Sequence, residues 1–400
     1  MKTRANQYLL VGLLLSLSGL SSSVSYFSPS YLYYIGKTPS QTAAIYYLAP
    51  HVVNTQLARL STSQLRHLAE LDNTDAKYQL ALRFLQQGNV SAAQLWWQTQ
   101  FDFFDLQQQQ NLAKQLVINE QWNALESLWK TNRLPDGDAK QTWLLQQSMP
   151  TIKITSEYAN LHNFALSLDA VTTNPTCHFN VLMMADHKSG IAALQSFKGQ
   201  YQSNPEPAMN SFCFSDVVYV GNQYRCEENN NALQCDWREA KNHTWPAGFD
   251  FIVMMSKEGS ANVQGGIMHI NSSQSYAVFL HELMHFNGFE DEYPLPEQKQ
   301  QWLCQQEGLV APNLFIASNS LPPKGWQKSV ACKNQMAYKP SLHWSIMQYQ
   351  KVGLSEQYRQ LWLKKINSPL TKPVRYTDYF AFIGVKPVIT TALSSKEFSD

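Results

Sequence analysis

The sequence predicts an α+β fold in which an all-α domain, residues 26–150, precedes a mixed-sheet domain, residues 151–400. Three observations predict it. From about Thr42, apolar residues recur at spacings of three and four, and Gly and Pro are scarce until Pro135. From residue 151 the texture changes to short apolar runs separated by loops. All six cysteines, Cys177, Cys213, Cys226, Cys235, Cys304 and Cys332, lie beyond residue 170. A chain of 400 residues with 44% hydrophobic and 12% aromatic content can bury one large core or two ordinary ones, which argues against wholesale disorder. Its 31 Lys+Arg against 30 Asp+Glu leave no long like-charge block, so a nucleic-acid partner or an anionic membrane has no electrostatic footprint.

The first 25 residues read as a targeting segment. Lys2 and Arg4 form a basic start, Tyr8 to Leu20 is an apolar stretch, and SSSVS offers small residues for cleavage. An uncleaved N-terminal anchor is the alternative, and no later run is long enough to span a bilayer. Either form gives an exported chain, periplasmic or secreted.

In the helical domain, LALRFLQQGNVSAAQLWW from Leu80 echoes LAKQLVINEQWNALESLW from Leu112, with Leu80/Leu112, Ala81/Ala113, Ala92/Ala124 and Trp97/Trp129 equally offset. The echo resembles paired-helix repeats of the tetratricopeptide kind, and an ordinary bundle with a chance echo is the other reading. Such a domain would bind a protein partner or act as a removable pro-segment. Pro135 to Pro150 reads as the linker.

Strands are expected at HFNVLMMAD after Cys177, at DVVYVG from Asp216 and at FDFIVMMS from Phe249. GIAALQSFKGQY from Gly190 reads as a helix between the first two. GGIMHINSS from Gly265 is a further short strand, followed by the helix QSYAVFLHELMHFNG. An even cysteine count in an exported chain suggests disulfides, with Cys226–Cys235 across a turn-rich octapeptide and Cys304–Cys332 as the most economical pairs. No C-x-x-C pair exists, which argues against a thiolate zinc site.

The HELMH run carries the chemistry. His281 and His285 stand four residues apart, so both rings project from one helix face and can meet a single Zn²⁺. Glu282 is rotated away from ligation and is the natural general base for a water activated by the metal. Asn287-Gly288 stops the helix, because Gly takes the left-handed conformation cheaply, and the chain turns back. Asp291 then completes H-E-x-x-H-x-x-G-x-x-D and can supply a third ligand; Glu290 and Glu292 are adjacent carboxylates that could reach the metal instead.

His281 to Asp291 resembles the extended zinc signature of the metzincin clan of zinc metalloproteases, which ends in His or, in members such as the snapalysins, in Asp. Ser345-Ile346-Met347-Gln348-Tyr349 resembles the S-x-M-x-Y Met-turn of astacins and serralysins. The D-E-Y run is also similar to one in IgA-peptidase-type metallopeptidases. The resemblance implies a zinc-dependent endopeptidase fold with Met347 beneath the metal and with Tyr349 approaching the metal or the oxyanion. From the residues alone, Tyr349 reads equally as a buried core tyrosine, and His269 and His343 read as structural.

The same resemblance implies protein or peptide substrates, laid as an added strand along GGIMHINSS. The residues between Asp291 and Met347 are expected to form an irregular lower lobe held by Cys304–Cys332, and SEQYRQLWLKKI from Ser355 reads as a closing helix. A gluzincin-type site with Glu307 as third ligand is the rival arrangement. The rival class is a non-catalytic helical-repeat binding protein whose second domain holds a structural or degenerate zinc site.

Overall fold

The computed structural model describes residues 37–229, 232–369 and 372–389, so the targeting segment lies outside the described residues. The chain is mixed α and β, and it divides into two compact units between Lys140 and Gln141.

The first unit is helical: α1 (Pro39–Leu48), α2 (Pro50–Asn54), α3 (Thr62–Glu70), α4 (Thr74–Gln86), α5 (Val90–Trp97), α6 (Leu106–Ile118) and α7 (Trp122–Lys130). Apart from α2 and α7, each helix starts where a short polar side chain satisfies an orphan amide. Asn73 accepts the Ala76 N–H at 2.8 Å, and Asp105 accepts the Gln108 N–H at 2.8 Å. Leu80, Ala81, Leu112 and Ala113, the leading matched pairs of the two echoing segments, are fully buried on their helices, whereas Ala92, Ala124 and Trp129 are only half-buried. Gln108 donates to Asp75 at 2.8 Å, joining the start of α6 to the start of α4.

Helix α8 (Asp138–Gln146) occupies most of the segment that Pro135 and Pro150 mark as a linker. The division between the two units falls inside this segment, which is helical: two prolines bracket a stretch with buried apolar residues (Trp143, Leu144, Leu145). The starts of α4, α6 and α8 are evenly spaced along the chain.

The second unit continues through α9 (Ser156–Leu161) to a seven-stranded sheet in the order β1-β4-β2-β8-β10-β9, with β3 also pairing β2. Its strands are β1 (Phe164–Ala165), β2 (Phe179–Ala185), β3 (Phe212–Phe214) and β4 (Val217–Tyr219), with helix α10 (Lys188–Ser203) between β2 and β3. Strands β5 (Cys226–Asn229) and β6 (Ala232–Cys235) form a separate hairpin, and β7 (Thr244–Trp245) follows. The sheet then resumes with β8 (Phe251–Ser256), β9 (Asn262–Gln264) and β10 (Ile267–Asn271).

Every residue of β2, β8 and β10 is buried, the pattern of parallel strands covered on both faces. Only β9 runs antiparallel, closed onto β10 through Gly265-Gly266, whose φ values of 57° and 77° suit a two-residue turn that only glycine enters without strain. One face packs on helices; the other holds Trp237, Trp245, Tyr376 and Phe380. His269 lies on that second face against Trp237, and burial pushes its imidazole down to about 4. Protonation therefore favours the unfolded chain, whose His titrates near 6.5. Stability should be full above pH 6.5 and fall by about 1.4 kcal/mol per unit from there towards pH 4. Denaturant midpoints across that range should fall for the wild type and flatten in His269→Met.

All six cysteines are paired, as Cys177–Cys213, Cys226–Cys235 and Cys304–Cys332. No helix among the described residues is long and apolar enough to cross a membrane.

The lower lobe is not irregular. After α11 (Tyr276–Phe286) and α12 (Glu297–Leu303), strands β11 (Gly308–Ala311), β12 (Leu314–Ala317), β13 (Gln327–Ser329) and β14 (Met336–Lys339) form a second, antiparallel sheet in the order β11-β12-β14-β13. It buries its own cluster around Leu303, Leu314, Ile316 and the Cys304–Cys332 bond. Strands of three or four residues, mostly half-buried, carry too little apolar pattern to stand out in sequence. Helix α13 (Glu356–Ile366) is the expected closing helix. The tail beyond it forms α14 (Tyr376–Phe382), which seals the sheet with Tyr376 and Phe380, and β15 (Val388–Ile389), which pairs β7.

Candidate metal centre

Helix α11 is apolar on nearly every side and accordingly buried from Phe279 to Met284. Ser275 caps its start, Phe279 packs on Phe197 of α10, and Phe286 stacks on Phe251 of β8 with ring centroids 4.2 Å apart. The segment entering the helix is tied down as well. His187 bonds Asp186 at 2.6 Å and Ser272 at 2.8 Å, joining the ends of β2 and β10.

At the end of α11 the chain makes both bonds of a Schellman turn. Gly288 N–H donates to the His285 carbonyl at 2.9 Å, and Phe289 N–H to the Met284 carbonyl at 3.3 Å. Gly288 has φ 75°, and a Cβ there would meet nothing within 4 Å. Gly288→Ala should therefore cost only backbone strain, about 1–2 kcal/mol, read as a small fall in melting temperature. A fall larger than that would mean the methyl group meets an obstacle the structure does not show. The Trp362 indole of α13 donates to Asn287 Oδ1 at 2.6 Å and clamps the same turn.

The turn brings Asp291 back to the two rings. His281 Nε2 and His285 Nε2 are 3.1 Å apart, and each lies 3.2 Å from Asp291 Oδ1. The far nitrogens are committed: His281 Nδ1 donates to the Ile346 carbonyl at 3.0 Å, and His285 Nδ1 to the Phe289 carbonyl at 2.7 Å. In the neutral rings this leaves both Nε2 lone pairs and a carboxylate oxygen aimed at one point. Three atoms so spaced lie ~1.8 Å from their common centre. An ion slightly off their plane would stand ~2.0–2.1 Å from each, as Zn²⁺ requires.

Charge is distributed accordingly. Burial works against charge on Asp291, but the two imidazoles outweigh it and hold the carboxyl well below its ordinary range. Burial likewise opposes protonation of His285, and Asp291 beside it raises the ring to about 9. Glu282 is different: burial pushes its carboxyl above the usual value, and its Oε2 has no hydrogen-bond partner. A buried, unpaired carboxylate oxygen beside three converging donors is the signature of a group kept for chemistry or for a bound ion.

The other expected residues sort cleanly. Met347 is fully buried, one residue past the carbonyl that holds His281. Tyr349 is 40% exposed with its ring against Trp344, so the buried-core alternative for it is corrected. Glu307 is exposed and accepts the Asn319 N–H at 3.0 Å, and His343 is exposed too; neither belongs to the cluster. Glu290 is paired with Lys299 at 2.5 Å. Glu292, with no exposed side-chain surface, accepts from Asn313, Ser345 and Tyr358 and lies 3.6 Å from Lys339. Both are thus held away from the role of third ligand.

The expected substrate strand is also corrected. β10 is hydrogen-bonded on both sides, to β8 and to β9, so the free edge beside α11 belongs to β9. The sequence reading had not resolved β9, a three-residue strand across a tight turn. It also missed Tyr293. That half-buried phenol lies near Asp291 and Glu282, and burial together with the two carboxylates pushes it up.

No known protein-family model matches the chain, and no curated protein matches it at a significant level.

Proposed function

We propose that the second unit is a zinc-dependent endopeptidase of metzincin type, with His281, His285 and Asp291 as metal ligands and Glu282 as general base. The observation that carries the reading is the triangle of three acceptor atoms at 3.1–3.2 Å with the unpaired Glu282 carboxylate beside it. Bound zinc would supply Lewis acidity, polarising the scissile carbonyl and acidifying a water. The chain supplies the rest. The backbone carbonyls of Ile346 and Phe289 fix the ring orientation of the ligands. Glu282, its proton affinity raised by burial, takes a proton at its unpaired oxygen and passes it to the leaving amine. An extended substrate would add to the β9 edge through main-chain hydrogen bonds. Tyr349, exposed beside Trp344, would be the group to donate to a developing oxyanion.

The evenly spaced helix starts of the first unit favour tetratricopeptide-like repeats that bind a protein partner. Three disulfides suit export to an oxidising compartment.

Metal analysis of the purified full chain should give one zinc per molecule, together with chelator-sensitive cleavage of an unfolded protein such as reduced casein. Asp291→Ala should lose both. Zinc-free protein that cleaves casein, or Asp291→Ala with undiminished zinc, would refute the assignment. Zinc retained with no cleavage of any unfolded protein would favour the non-catalytic alternative.

A further inference from the structure

We infer that Asn313 is the positioning residue for the third metal ligand, acting from the lower sheet on the peptide groups around Asp291. The inference rests on the zinc reading and adds to it the residue that makes the third ligand available.

Asn313 occupies the two-residue turn Pro312-Asn313 between β11 and β12, where Ala311 pairs with Leu314. Asparagine is common in turns, but there it ordinarily faces water. This one has no exposed surface. Its Oδ1 accepts the Glu290 N–H at 2.9 Å. Its Nδ2 donates one proton to the Glu290 carbonyl at 2.7 Å and the other to Glu292 Oε1 at 2.8 Å. The amide orientation is fixed by its partners, since the reversed group would set N–H against N–H and oxygen against oxygen.

The Glu290 carbonyl belongs to the peptide plane immediately before Asp291. The plane immediately after it is held by the Glu292 N–H, which donates to the Met347 carbonyl at 3.0 Å. Asp291 is therefore pinned on both sides, by the lower sheet in front and by the Met347 segment behind, and the hydrogen bonds of Asn313 go to Glu290 and Glu292, not to the metal-facing oxygen. The ligand needs that support. Unlike the two histidines it does not sit on a helix, and its carboxylate must be held against two imidazoles at a distance where small displacements break coordination.

The test compares the full-length wild type with Asn313→Ala and Asn313→Asp. Zinc affinity is read by competition with a chelating dye, and stability by denaturant unfolding of the metal-free proteins. Asn313→Ala should bind zinc about 10–100-fold more weakly. Asn313→Asp, equal in size, should bind more weakly still, because it turns an oxygen towards the Glu290 carbonyl and the Glu292 carboxylate. The cobalt-substituted variants should show an altered visible ligand-field spectrum, which a purely structural role would leave unchanged. Wild-type affinity in both variants, or a fall in metal-free stability with zinc affinity and cobalt spectrum intact, overturns the positioning role alone. A wild type that takes up no zinc overturns the zinc reading itself and this inference with it.

Discussion

Glu282→Gln should lower peptide-bond hydrolysis by about 10²–10⁴-fold while the protein still folds and still binds one zinc, measured by initial rates on casein alongside metal content. The separation is expected because Glu282 is not part of the ligand triangle and its Oε2 bonds nothing. An amide in its place removes the proton acceptor and also removes a buried charge. The metal-free variant should therefore match the wild type or exceed it by about 1 kcal/mol in unfolding free energy. A variant that hydrolyses casein at the wild-type rate would remove Glu282 from the mechanism. One that loses its zinc as well would instead place the carboxylate on the metal.

Glu292→Ala should be the most destabilising single change near the site, lowering unfolding free energy by about 3–5 kcal/mol in denaturant titration. Its carboxylate is completely buried and receives the Asn313 amide and the Ser345 and Tyr358 hydroxyls, with the Lys339 ammonium 3.6 Å away. Truncation takes one partner from each of the four, two of them on the segments that carry Ser345 and α13, while Lys339 keeps the His343 carbonyl and Gln348 and Asn313 keeps Glu290. Glu290→Ala is the comparison. Its ion pair with Lys299 is partly buried, and truncation there removes one charged partner instead of four polar ones, so the loss should be smaller. Equal losses in the two variants would show that Glu292 is not the hub its contacts describe.

The difference between those neighbouring glutamates explains how much of the site could be read from sequence. His281, Glu282 and His285 are legible because a helix fixes their relative directions, and Asp291 is nearly so, because Gly288 marks where the helix must end. Which of three consecutive carboxylates faces the rings depends on partners far along the chain: Asn313 and Ser345 for Glu292, Lys299 for Glu290. No local pattern encodes them. The runs at β2, β4, β8 and β10 were visible because parallel strands buried on both faces are continuous apolar words, whereas β1 and β3, two and three residues long, were not. Strands β9 and β11 to β14 were not either, being only three or four residues long and, except for the fully buried β12, partly covered. Helix α14 was missed for another reason, since its buried residues Tyr376 and Phe380 make one turn of periodicity too few to register. For Tyr349 the sequence left core and cleft open, and exposure on the Met-turn excludes the core.

The Cys304–Cys332 bond has a consequence for how the molecule matures. It closes the 28-residue span that includes the turn carrying Asn313. The residues just before Cys332 grip the ligand loop directly: the Ala331 carbonyl accepts the Leu295 N–H at 3.0 Å, and the Ser329 hydroxyl donates to the Glu292 carbonyl at 3.1 Å. A newly made chain still holding free thiols would lack the scaffold that presents the third ligand. If the proposed zinc reading holds, oxidation should come first and metal second, and the proposed centre should stay inert until the chain has reached surroundings that permit the crosslink.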